Sequence, residues 1–136
     1  MKRFLLSSYV SILFKKYNSV GSLNYAAPEI FDHLYGPAID MFSLGCTLYF
    51  TLVGRHLFSC SSNDEYRLLI WMNSSLEKWD TLLEQHLNRS RLWQKVSPLG
   101  QDFVKSLLNK HPAGRPTAQV HTFRFFHDHI IRFLFG

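Results

Sequence analysis

The sequence predicts a mainly α-helical fold, on three observations. The run from Ala38 to Val53 is apolar on almost every side and is closed by Gly54. Ser97-Pro98 opens a stretch in which Phe103, Val104, Leu107 and Leu108 recur at the helical period. No alternation of apolar and polar residues is long enough to mark a sheet, apart from one candidate strand near the start.

The elements follow in order. Residues 1–20 have no clean helical period and read as extended or irregular. Gly21 to Pro28 is turn-rich. Pro28 fits the first turn of a short helix, where its missing N–H costs nothing, and Glu29 to His33 continue it. Tyr35-Gly36-Pro37 reads as a loop. The helix from Ala38 to Val53 leaves almost no polar face, so it is expected to be buried on most sides, and Gly54 stops it. Arg55 to Ser62 is a loop. Asp64 to Trp71 is a helix that Asn63 can cap, and Leu76 to Leu87 is another. Ser97 fits the N-cap and Pro98 the first position of a helix to Asn109. Lys110 to Pro116 holds two prolines and a glycine and is a forced loop. Thr117 caps a further helix to about Thr122, and Phe123 to Phe135 is an aromatic tail.

Composition bounds the function classes. The 136 residues make one domain at most, and a hydrophobic fraction of 46%, with twelve phenylalanines, supports a packed core. The net charge of +5 comes from scattered Lys and Arg without a basic stripe, so a solvated surface is expected and no nucleic acid. Two cysteines make no disulfide framework and suit a reducing, cytoplasmic compartment. The apolar run after Lys2-Arg3 is broken by Ser7-Ser8 and lacks a cleavage site, so no signal peptide is expected. No stretch approaches the ~20 apolar residues of a membrane span.

Few residues invite chemistry. Of the seven histidines, only His127-Asp128-His129 cluster, and alternate residues do not converge on a metal, so they read as polar residues beside an aromatic run. The glycines are never spaced to cradle phosphate. No catalytic, cofactor-binding or metal-binding residue is assigned.

Three segments in fixed order stand apart: Gly21-Ser22-Leu23-Asn24-Tyr25-Ala26-Ala27-Pro28-Glu29, then Asp40-Met41-Phe42-Ser43-Leu44-Gly45, then Arg115-Pro116-Thr117-Ala118. Together they resemble the back half of a protein kinase domain, and the resemblance covers almost the whole chain. It implies a truncated kinase-like large lobe, with 1–20 a remnant of the activation segment, 21–122 the helical lobe and 123–136 the tail. Ala27, Pro28, Glu29, Asp40, Gly45 and Arg115 are then structural motif positions. In the family, the glutamate at Glu29 forms a buried ion pair with the arginine at Arg115. The aspartate at Asp40 anchors the backbone of the catalytic loop. That loop is not in this sequence, so Asp40 is expected to meet other donors or water. Gly21 to Glu29 looks like the energy-sensing and calmodulin-dependent branch. Phe42, Ser43-Leu44-Gly45-Cys46 and His56-Leu57-Phe58 look like the inositol-requiring kinase/endoribonuclease family.

The resemblance also frames activity. Kinases need a glycine-rich loop, a strand lysine and an His-Arg-Asp loop, and this sequence contains none of them. Counting back from Gly21 places Arg3-Phe4-Leu5 at the Asp-Phe-Gly position, a cation where the metal ligand should stand. Asn18 replaces the phosphorylatable threonine, leaving Ser19 and Ser22 as candidate phosphosites. The expectation is a non-catalytic kinase-like chain that binds a protein partner through its aromatic tail or the helix following Phe58. The alternative is part of an active Ser/Thr kinase that transfers the ATP γ-phosphate to protein Ser/Thr. ATP and Mg²⁺ belong to full-length relatives and are not expected on this chain.

Overall fold

Residues 22–32 and 36–119 are described by the computed structural model. The expectations for residues 1–20, including Arg3 and Ser19, and those for His127-Asp128-His129 and the tail lie outside them. Two 3₁₀ turns, Ser22–Tyr25 and Pro28–Asp32, lead into five helices. These are α1 (Pro37–Val53), α2 (Asn63–Met72), α3 (Leu76–Leu87), α4 (Arg91–Gln94) and α5 (Pro98–Leu107), followed by a 3₁₀ turn at Pro112–Gly114. No strand occurs among the described residues.

Helix α1 is the axis on which the other elements pack. It touches α4, α5, the first 3₁₀ turn and the last. It begins at Pro37, one residue earlier than expected, because proline at the first position presets the helical φ and lacks only a donor the helix cannot use. Gly54 ends it at φ 78°, and its N–H donates to the Phe50 carbonyl at 2.7 Å. Ile39, Phe42, Cys46, Tyr49 and Val53 face the core. The expectation of burial on most sides fails on one strip, where Thr47, Phe50 and Thr51 are exposed. Both threonine hydroxyls donate back to carbonyls one turn earlier, at 2.9 Å, so the strip satisfies itself without a neighbour.

Serine starts four of the five helices. Ser62, Ser75, Ser90 and Ser97 each accept from a backbone N–H inside the first turn. Ser62 rather than Asn63 therefore caps α2, and the Glu65 carboxylate accepts from the Ser61 N–H at 2.7 Å. Helix α3 matches its expected span, whereas α4 is too short to carry a period and was not expected. Helix α5 ends at Leu107, two residues early, because the next carbonyls are taken by side chains. Trp79 Nε1–H donates to the Leu108 carbonyl at 3.1 Å, and Arg115 Nε–H to that of Asn109 at 2.8 Å. The helix expected after Thr117 is not formed at residues 117–119, and its remainder lies outside the described residues.

The core is aromatic. Trp79 lies 6.3 Å from the Phe42 ring and 5.8 Å from Phe58, and Trp93 lies 5.5 Å from Tyr49. Cys46 and Cys60 are free and buried. Burial pushes the Cys46 thiol pKa far up, although the Arg115 charge acts against it.

Gly45 sets how closely α1 and α5 approach. A Cβ at this position would stand 3.0 Å from Leu107 Cβ and 3.0 Å from Leu108 Cδ2. Leu107 Cβ is tied to its backbone and cannot swing away. Alanine would gain ~1 kcal/mol of helix propensity, but forcing a methyl into a packed seam costs about 1–3 kcal/mol. The clash outweighs the gain, so Gly45→Ala should lower stability by up to about 2 kcal/mol in urea unfolding. An unchanged or raised midpoint would show that the seam yields.

Candidate functional site

The motif residues meet around one buried cation. Pro28–Asp32 presents Glu29 beneath a backbone segment whose Ala26 and Ala27 are themselves buried. Arg115 reaches it from the loop after α5. Glu29 is 6% exposed and Arg115 4%. The contact is a bidentate fork: Nη1 donates to Glu29 Oε1, and Nη2 donates to Oε2 at 2.9 Å.

The remaining donors of Arg115 are also used. Nη1 donates to the Ala38 carbonyl at 2.9 Å, Nη2 to that of Lys110 at 3.2 Å, and Nε to that of Asn109. All five N–H groups of the guanidinium thus have acceptors. Its carbon stands 5.0 Å from the centre of the Phe42 ring, a cation–π distance. A charge taken out of water has its solvation replaced point by point, which is the condition under which burial is tolerated.

The segment before Glu29 is held from two sides. Ser43 Oγ–H donates to the Tyr25 carbonyl at 2.7 Å, and the Tyr66 hydroxyl donates to the Ala26 carbonyl. These clamps run from α1 and α2 to a stretch that has no long helix of its own. Ala27 and Pro28 are fully or nearly buried, Ser22 starts the first 3₁₀ turn, and Gly45 lies on the α5 side of α1.

Asp40 stands apart from this cluster. It lies in the first turn of α1, half-buried, and no described residue donates to its carboxylate. Burial raises its pKa above the usual carboxylate value. In the first 3₁₀ turn, Asn24 Oδ1 is buried without a hydrogen-bond partner among the described residues. The described residues contain no group of three or more His, Cys, Asp or Glu able to hold a metal. None of their helices is long and apolar enough to cross a membrane.

The sequence pointed to both ends of the ion pair but not to its surroundings. The acceptors on Ala38, Asn109 and Lys110 are backbone carbonyls, which no residue type announces. Tyr66 and Ser43 carried a weak signal, as polar groups on otherwise apolar helix faces.

Comparison with known proteins yields a consistent set. A family profile for the protein kinase domain matches residues 4–126. Calcium-dependent protein kinase 17 of Arabidopsis thaliana is 35% identical over 73% of this chain and 17% of its own length. CDPK-related kinase 7 of the same plant is 34% identical over 85% of this chain and 18% of its own. The chain therefore spans less than a fifth of the length of these relatives. Among solved structures, Rad53 bound to AMP-PNP aligns with TM-score 0.49 and 33% identity, over 71% of this chain and 23% of that one.

Two outcomes test this geometry. Arg115→Ala should cost about 3–5 kcal/mol, because it strands the Glu29 charge out of water. Arg115→Lys should recover only part of that loss, since an ammonium cannot fork onto a carboxylate. Equal urea midpoints for parent and Arg115→Ala would contradict it. For Asp40 the sign follows from its raised folded-state pKa. The folded chain holds that proton more tightly than the unfolded one. The protonated carboxyl contributes stability below the unfolded value, and this is lost as pH rises through the folded value. Asp40→Asn should therefore raise the melting temperature at pH 7, with the gain shrinking toward pH 3. A constant gain across that range would contradict it.

Proposed function

The chain belongs to the protein kinase family, and from that premise we propose that it works as a non-catalytic, Ser/Thr-kinase-type lobe that binds a protein partner. The observation that carries this is the outer face of α2. Leu68, Trp71 and Met72 are 54%, 74% and 58% exposed. They lie three and four residues apart, the spacing against which an amphipathic helix of another protein packs. A continuous apolar face of this kind marks an interaction surface. The motif residues support the same reading. Glu29 and Arg115 spend their charges on each other and on backbone, and they brace the Ala-Pro-Glu segment instead of reacting.

A second reading is favoured by Asp40 and Asn24. A half-buried carboxylate and a buried amide oxygen without described donors are what another polypeptide segment would satisfy. By family resemblance, that segment is the catalytic loop. The described residues would then be the large lobe of an active Ser/Thr kinase, using ATP and Mg²⁺ as its relatives do.

Thermal unfolding of the 136-residue chain with ATP and Mg²⁺ tests the first reading. The first reading expects no change in melting temperature. A saturable rise that inorganic phosphate does not reproduce would overturn it, since a ligand stabilises the state it binds. Trp71 tests the partner surface. Trp79 and Trp93 are buried, so acrylamide quenching of the chain reports mainly on Trp71. Trp71→Glu should change stability by no more than about 0.5 kcal/mol and abolish binding of an amphipathic helical partner. Retained binding would remove α2 from the proposal.

A further inference from the structure

A cleft of about 500 Å³, lined by neither Glu29 nor Arg115, opens between the end of α1, the loop of residues 55–60, α2 and the end of α3. Two arginines line it. Arg55 follows the Gly54 cap, and Arg89 follows α3. Neither forms an ion pair with a described residue. Tyr49 lines the same cleft. Burial raises the pKa of its hydroxyl, and the charges of both Arg55 and Arg89 act against that rise, so both cations face the hydroxyl within Coulombic reach. The carboxylate that lines the cleft, Glu65, is already held by the Ser61 N–H and hydroxyl at 2.7 and 2.5 Å.

The rest of the lining suits an anion of modest size. Ser59 and Ser90 offer hydroxyls, and Leu57, Phe58 and Leu69 supply apolar walls that strengthen charge interactions between them. His56 stacks on Phe50 at 4.6 Å, and its buried Nδ1 has no described partner. His86 sits with Nδ1 2.8 Å from the Leu82 carbonyl, which leaves the other ring nitrogen available. The volume is that of an ordinary small-ligand pocket, about 300–1,000 Å³.

We infer that this cleft binds a phosphate monoester, free or carried on a protein side chain, gripped between Arg55 and Arg89. A guanidinium is planar, permanently charged and forked, which matches phosphate oxygens two at a time. Two such groups without carboxylate partners, beside hydroxyl donors, favour phosphate over a single carboxylate. The competing role for these arginines is local: each lies at a helix C-terminus, where a cation is favoured in any case.

The experiment titrates the full 136-residue chain with inorganic phosphate and, separately, with a phosphoserine peptide and its unphosphorylated form. Ionic strength is held constant with sodium chloride, and binding is read by thermal shift and calorimetry. Saturable binding of either phosphate probe is expected. Arg55→Gln and Arg89→Gln should each weaken it by roughly tenfold or more, while Arg91→Gln, outside the cleft, leaves it unchanged. Tighter binding of the phosphopeptide than of inorganic phosphate assigns the ligand to a protein side chain, and equal binding assigns it to a free phosphate. Both arginines are exposed, so the variants are expected to fold, and circular dichroism checks this. No saturable binding of either probe overturns the inference. So does binding that the Arg55→Gln/Arg89→Gln double variant retains, which would leave the arginines only their helix ends.

Discussion

The Arg115 guanidinium is the constraint on which the rest of this structure depends. It joins four places in the chain: Glu29, the first turn of α1 at Ala38, and the Asn109 and Lys110 carbonyls after α5. Losing any one of these acceptors alone would leave a donor of a buried charge unmatched, which is costly. The geometry of the loop from 109 to 115 is therefore dictated by where five acceptors must stand. Gly114 belongs to the same fit: a Cβ there would lie 2.5 Å from Asn109 Nδ2, and the Asn109 side chain in turn accepts from the His111 N–H. The hydrophobic effect collapses the chain, and this polar knot selects which collapsed arrangement survives.

Around the knot, α1 supplies the long lever. Its core-facing side contributes Phe42 beneath the guanidinium and Gly45 against α5. One helical face thus sets two distances at once, and both fail if the helix rotates. Peripheral helices are attached more loosely and by smaller devices. Serine caps start them, Trp79 hooks α3 to the end of α5, and the Lys110 ammonium takes the Asn73 and Ser74 carbonyls beyond α2. Lys110 links the same loop that carries Arg115 to the far end of α2, so the patch around Trp71 is coupled in space to the knot.

Much of this was legible in the residues. Helix α3 was placed to its ends, and α1 and α5 to within two residues, because apolar period, proline and glycine act locally. The meeting of Glu29 and Arg115 was legible only through family resemblance, as no local rule links positions so far apart. What stayed hidden has a common cause. The start of α2 turned on which polar residue of Ser62 and Asn63 aims its side chain at a free N–H, and both types can do so. The end of α5 turned on side chains from elsewhere claiming its last carbonyls. The exposed strip of α1 was misread because threonine counts as neutral in a hydrophobic tally yet marks the face turned to water. Asp40 was expected to meet other donors or water, and it stands between those outcomes, half-buried with no described donor.

Cys46 follows Gly45 directly on α1, and its thiol is shut off from solvent, where burial raises its pKa. Thiolate chemistry at that sulfur requires the core packed around it to open first. With Cys60 replaced by serine, the rate at which a thiol reagent consumes Cys46 therefore becomes a clock for the opening of this core. It needs no added label and reads the interior of the lobe from a point that no ligand or partner of the surface would touch.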